Sequence, residues 1–141
     1  MSIASWKLLT KAMWNGDPFA MKTDKIGHLN ELAPTNTSHI YEGKTPIDWY
    51  ALWDGEVLVG CFGLLHVAKE ARLRGWFVIE EYRGRGIGEW LAEQAAVQAY
   101  SGGAEVIEAK TAQASIMARV GWTYTGKEYK SFNGRQYRKR L

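Results

Sequence analysis

The chain has 141 residues, 46% hydrophobic and 23% charged, with a formal net charge of +3; this is ordinary usage for one globular domain and leaves little room for a second. A lone cysteine, Cys61, excludes an intrachain disulfide, and no apolar run approaches the ~20 residues that a membrane span requires. With no apolar stretch of the signal-peptide kind at the N-terminus, the expectation is a single domain over residues 1–141, cytoplasmic, with no membrane partner.

The first third is the least legible. Residues 6–14 fit a strand or a helix equally well. Asp17-Pro18 can open a helix, because Asp caps and Pro suits the first turn. Residues 23–32 read as helical, with Ile26, Leu29 and Leu32 at helical spacing, and residues 34–38 as a loop. From there the pattern sharpens. Residues 48–53 predict an aromatic-rich strand, Asp54-Gly55 a hairpin turn, and residues 56–67 the returning strand, with Val57, Val59 and Cys61 alternating against Leu58 and Gly60. A third strand is predicted over 72–79. A helix over 86–100 carries the stripe Ile87, Trp90, Leu91, Ala95 and Ala99, ended by Ser101-Gly102-Gly103. A strand over 105–110, a short helix over 112–120 stopped by Gly121, and strands over 122–131 and 136–141 complete the order, with Asn133-Gly134 marking a tight turn. The result is a mixed α+β sheet with helices packed on its faces. Of the seven tryptophans, most are expected in the core and one or two in the wall of a cleft.

The densest chemical signal is the run Arg83-Gly84-Arg85-Gly86-Ile87-Gly88, where a strand passes through a glycine-rich turn into a helix. Such a turn exposes the first N–H groups of the helix, which have no carbonyl partner inside it. Those donors and the helix dipole favour an anion site, with Arg83 and Arg85 adding charge at its rim, and a structural turn is the plainer alternative. The glycine spacing differs from Gly-x-Gly-x-x-Gly, and the Gly-Lys-Ser/Thr of a nucleotide P-loop is absent.

This run resembles the Arg/Gln-x-x-Gly-x-Gly/Ala motif of the GNAT N-acetyltransferases, and the later strand, short helix and Gly121-Trp122 pair resemble the second half of that family. The likeness covers residues 48–127 well and the N-terminal third poorly; the chain also loosely resembles small phage-encoded acetyltransferase-like proteins, in which case the host cytoplasm would be its location. The resemblance implies a GNAT-like acyl-CoA N-acyltransferase fold: a central mixed, mostly antiparallel sheet with helices on both faces. It implies acetyl-CoA as cofactor, its arm lying in a V between the strands of residues 76–79 and 105–110. The backbone of Trp76 and Val78, with Phe77 between them, would run beside the arm. The amides of Gly84 through Gly88, flanked by Arg83 and Glu89 and including Arg85, Gly86 and Ile87, would hold the pyrophosphate. It further implies direct attack by a primary amine of a small molecule, protein or nucleic-acid-linked acceptor, with the enzyme a monomer or homodimer.

For the proton movements, the amine needs a base and the leaving thiolate can use an acid. Family members often place a tyrosine where this chain has Met117, which cannot donate a proton. Ser115 and Tyr124 are the substitutes nearby; a satisfied helix hydroxyl and a half-buried strand aromatic are the plainer readings. Some family members use a glutamate on the strand before the short helix, a position Glu108 resembles, and others one on the strand before the glycine turn, near Glu70. The resemblance favours Glu108 over Glu70 as base, with a surface carboxylate as the alternative for each. His66 is the best placed of the three histidines, and no His/Cys/Asp spacing indicates a metal site. Cys61 reads as a small buried thiol. The C-terminal run Lys127, Lys130, Arg135, Arg138, Lys139 and Arg140 would suit nucleic acid or simply a solvated edge strand. The missing tyrosine leaves a catalytically degenerate or phage accessory protein of the same fold as the alternative.

Overall fold

The computed structural model describes residues 21–23, 47–54, 57–129 and 134–141, and the structural statements below concern these residues. Seven strands form one sheet: β1 (Met21–Thr23), β2 (Ile47–Asp54), β3 (Val57–Val67), β4 (Glu70–Val78), β5 (Val106–Thr111), β6 (Thr123–Tyr129) and β7 (Gly134–Arg140). Two helices interrupt them, α1 (Ile87–Ser101) and α2 (Ala114–Arg119). The sheet order is β1-β2-β3-β4-β5-β7-β6. Only β4 and β5 are parallel; the other neighbours are antiparallel. A parallel pair requires a long crossover, and α1 supplies it.

α1 follows from its sequence. Four alanines favour the helix, and Ile87, Trp90, Leu91, Ala95 and Ala99 form the buried stripe that packs on β3 and β4. That face also holds Leu52, Phe62, Leu64, Ala71, Leu73, Ile107, Ala109, Met117 and Tyr137 in one core, with α2 packed beside α1. Tyr50 stacks on Phe62 at 4.9 Å between centroids. The opposite face carries a smaller cluster of Trp49, Ala51, Leu58 and Cys61. Both described helices therefore lie on one face. The helix expected to open at Asp17-Pro18 is not continued at residues 21–23, which form strand β1 paired with β2, and Thr23 is strand instead of the first residue of the helix read over 23–32. The rest of residues 17–32 falls outside the described residues, as do Trp6 and Trp14.

Three local expectations are corrected. Val59 and Cys61 do not share a face: Val59 joins the large core and Cys61 the small one. The cause is a bulge, in which Leu52 pairs with Gly60 and Trp53 with Leu58, leaving Val59 the extra residue. Gly134 is the first residue of β7, paired with Tyr129, so it is strand and not turn; residues 130–133, which connect the two strands, are outside the described set. The basic C-terminal strand is not at an edge. β7 lies between β5 and β6, and β6 is the outer strand.

Candidate functional site

The site begins with a break in the sheet. β4 and β5 pair from Glu70↔Val106 to Leu73↔Ala109 and then stop, although β4 runs on to Val78 and β5 to Thr111. The two strands therefore part in a V whose vertex is Leu73 and Ala109. A bulge in β4 accompanies the parting. Against β3, Arg74 pairs with Gly63 and Phe77 with Cys61, so Gly75 and Trp76 stand opposite the single residue Phe62. Gly75 has φ +59°, a left-handed conformation that a side chain resists. Its carbonyl accepts a hydrogen bond from the Cys61 thiol at 3.3 Å. Trp76 has no register partner on β3 or on β5. A bulge is a recurrent means of turning a strand away from its neighbour beside a functional site.

At the open end of the V lies the glycine-rich turn. A single 3-10 turn, Glu80–Tyr82, links β4 to it. Gly86 is the N-cap of α1 with φ +84° and offers no side-chain cap to the helix amides. The first helical bond joins the Trp90 N–H to the Gly86 carbonyl at 3.1 Å. The amides of Ile87, Gly88 and Glu89 precede it and have no carbonyl one turn back to reach. The turn is braced from several sides. Trp76 Nε1 donates to the Gly88 carbonyl at 3.1 Å, tying β4 to the start of α1. Tyr82 Oη donates to Asp54 Oδ2 at 2.5 Å, which pushes the phenol above its ordinary range because the bond holds the protonated form. Arg83 Nε donates to the Val78 carbonyl at 2.9 Å and its guanidinium lies over Phe77; Arg85 donates to the Glu81 carbonyl at 3.3 Å and lies over Tyr82. Both arginines are thus held at the rim through part of their donor set, with the remaining N–H groups free for an anion. Unpaired helix-start amides beside two guanidiniums have the chemistry of an anion-binding cradle.

Not every residue singled out in the sequence presents its side chain to this cradle. Ile87 is 1% exposed, in the core, so only its amide can serve. The carboxylate of Glu89 is turned toward α2, where it accepts from Arg119 Nε. The Val78 carbonyl already accepts from Arg83.

The candidates for proton transfer are scattered. Glu108 is buried on β5 one residue before the vertex, and Gln136 Nε2 donates to its Oε2 at 3.0 Å. Glu70 sits at the closed end of the β4–β5 pair, 3.8 Å from Arg138. Ser115 is exposed on α2. Tyr124 is exposed on the outer strand, donates to Glu128 at 3.1 Å and lies under Arg135; desolvation first, then this bond, raise its phenol. Met117 is fully buried against the core. His66 pairs with Ala71 near the closed end and packs on Gly102, at the far end of α1 from the glycine turn. Only Glu108 adjoins the vertex. Cys61 is buried, and burial pushes its thiol up to about 12.

Sequence reasoning passed over a second group. On the sheet face opposite α1 and α2, Arg72 and Arg74 of β4 alternate with core residues, and Arg72 pairs in register with Glu108. Burial lowers the Arg74 pKa, partly offset by the charge of Glu108. Lys110 follows on β5, its ammonium 5.0 Å from the Tyr129 ring centre. The legible signal was the alternation Arg72-x-Arg74 entering a glycine, which places two cations on one face of a strand.

A parted parallel strand pair, ending at an uncapped and glycine-lined helix start, defines the class of acyl-CoA-dependent acyltransferases. The model of the acetyltransferase (GNAT) family matches residues 14–119, and the chain belongs to that family. It is an acetyl-CoA-dependent acetyltransferase. Among solved structures it is similar to the IAA acetyltransferase of Bacillus cereus, at 19% identity and TM-score 0.63, covering 67% of this chain and 78% of that one. A Mycobacterium tuberculosis protein solved with CoA gives 15% identity and TM-score 0.66, over 82% and 93% of the two chains. A Bacillus subtilis acetyltransferase, also with CoA, gives 17% and 0.61, over 85% and 86%. The sequence comparison with curated proteins gives no match.

Proposed function

We propose that residues 1–141 form one domain that transfers the acetyl group of acetyl-CoA to a primary amine by direct attack within a ternary complex. The observation that carries this reading is the V between β4 and β5 leading from the glycine turn to Glu108. The amides of Gly84 through Gly88 and the guanidiniums of Arg83 and Arg85 hold the pyrophosphate. The pantetheine arm follows the freed edge of β4 past Val78, Phe77 and Trp76 toward the vertex. From Val78 back to Arg74 is about 13 Å at ~3.3 Å per strand residue, a span suited to an extended arm.

At the vertex the thioester meets the acceptor amine. Glu108, held by Gln136, receives the amine proton directly or through one water, which leaves the nitrogen lone pair free to attack. A backbone N–H of the β4 bulge is positioned to receive the charge that develops on the thioester oxygen. With Met117 in the core, the thiolate departs without a tyrosine donor and takes its proton from solvent. The distances from the vertex speak against Glu70 and His66 as bases. A cytoplasmic location is consistent with the single cysteine and with the absence, among the described residues, of a helix long and apolar enough to cross a membrane.

Titration calorimetry with acetyl-CoA and a thiol-release assay over an amine panel test the proposal. Binding that depends on Gly86, with acceptor-dependent release of CoA, is expected. No binding at millimolar acetyl-CoA would remove it.

A further inference from the structure

The first residue past the vertex is a cation on each arm of the V: Arg74 on β4 and Lys110 on β5. Both belong to the sheet face opposite the helices, because Arg74 is two residues from Arg72 and Lys110 two from Glu108 on the same strands. On this part of the face the strand positions bring together Arg72, Arg74, Lys110, Arg138 and Arg140 against only Glu70 and Glu108. One of those carboxylates is already used, since Glu70 pairs with Arg138. The other accepts from Gln136.

Arg72 is the unbalanced group. Its Nε is buried and has no hydrogen-bond partner, and it forms no ion pair among the described residues. Its register neighbour Glu108 does not come within ion-pairing distance. Arg74 gives one N–H to the Leu73 carbonyl at 3.1 Å and is otherwise free of protein acceptors. A half-buried guanidinium without an acceptor is unfavourable in the folded chain. It becomes favourable when an anion fills the fork.

The other face of the vertex is closed by α1, α2 and the core, so an acceptor reaches the thioester from the side of these cations. Resting on the acetyl-transfer reading above, we infer that the acceptor is an amine carrying its own anionic group, a carboxylate or a phosphate, which Arg72 and Arg74 clasp while its nitrogen meets the thioester. The anion neutralises the excess charge and fixes the molecule at two points, which orients the amine toward Glu108. The reaction itself is unchanged: the C–N bond forms, the C–S bond breaks, the amine proton leaves and CoA takes the electron pair.

The test measures kcat/KM with acetyl-CoA for matched acceptors: glycine against glycinamide, and phosphoethanolamine against ethanolamine, with longer amino acids alongside. The wild type is expected to prefer the anionic member of a pair at least tenfold; the pair that shows this tells carboxylate from phosphate. In Arg72→Gln and Arg74→Gln the preference should fall toward one through KM, while Arg74→Lys keeps part of it. Melting curves show whether each variant folds, and Lys110→Gln, on the other arm of the V, provides a third reading if one does not. Equal use of charged and neutral amines, or a preference untouched by all the variants, overturns the inference and leaves acetyl transfer standing. Should no amine be acetylated, the transfer reading fails, and the anion site is then judged by melting in acetyl-CoA with glutamate or phosphate. A shift lost in Arg72→Gln sustains the anion site, and no shift overturns it.

Discussion

Individual side chains in this protein gain their meaning from the two or three atoms they touch. Gly86 holds φ +84° at the start of α1, a conformation that costs an alanine about 1–2 kcal/mol. Gly86→Ala is therefore expected to lower stability by about that amount and to weaken acetyl-CoA binding at least tenfold in calorimetry, because the amides would no longer point into the cradle. Met117 gives the opposite lesson. It stands where the family often has a proton donor, yet it is 0% exposed. Met117→Tyr should destabilise by about 1–3 kcal/mol through overpacking, with no rise in kcat, as melting and initial rates would show. Cys61 has its pKa raised from 9.0 to about 12. Between those values the unfolded chain has lost the thiol proton and the folded chain keeps it, so this contribution to stability is whole below pH 9 and falls by roughly 1 kcal/mol per unit above it. Denaturant titrations at pH 8 and pH 10 should show a smaller alkaline loss in Cys61→Ala than in the wild type. A thiol reagent should label Cys61 only after unfolding.

At the scale of elements, the bulge in β4 matters more than any one contact. Paired strands part only if something bends one of them, and Gly75 with its left-handed backbone does so between Arg74 and Phe77. Gly75→Val is expected to destabilise the fold and to impair acetyl-CoA binding together, because the strain and the shape of the V have one source. Trp76→Phe separates them. It removes the Nε1 bond to the Gly88 carbonyl while keeping an aromatic packed against the main core. A loss of about 1 kcal/mol in stability and a several-fold weaker Kd for acetyl-CoA would follow from a looser helix start. α1 was readable because its stripe, its glycine start and its glycine end agree. The alternation in β3 misled, since β3 is covered on both faces and carries the Val59 bulge. Pairing partners lie far apart in sequence, so nothing local announces a bulge.

For the molecule as a whole, the sheet sets the glycine turn at the open end of the V and Glu108 beside its vertex, the line along which the proposed cofactor would lie. Acetyl-CoA bound along that line should protect the entire described core. At a ligand concentration of 100 times Kd, the stabilisation is about 2.7 kcal/mol, so the melting temperature should rise by several degrees; no rise would contradict a preformed site. The C-terminal basic run also reads differently at this scale. Arg135 pairs with Glu128, Arg138 with Glu70, and Lys139 donates to the Val120 carbonyl, so much of that charge serves contacts within the protein.

The order of strands and helices from β2 onward, the glycine turn and its two arginines were determined by the sequence alone, because each depends on periodicity, capping and backbone freedom within a few residues. The parting of β4 from β5, the burial of Met117, the remoteness of His66 and the gathering of Arg72, Arg74 and Lys110 around Glu108 were decided only by the tertiary structure. Each is set by which strands lie side by side and where their pairing stops, a relation between distant segments that no local pattern encodes.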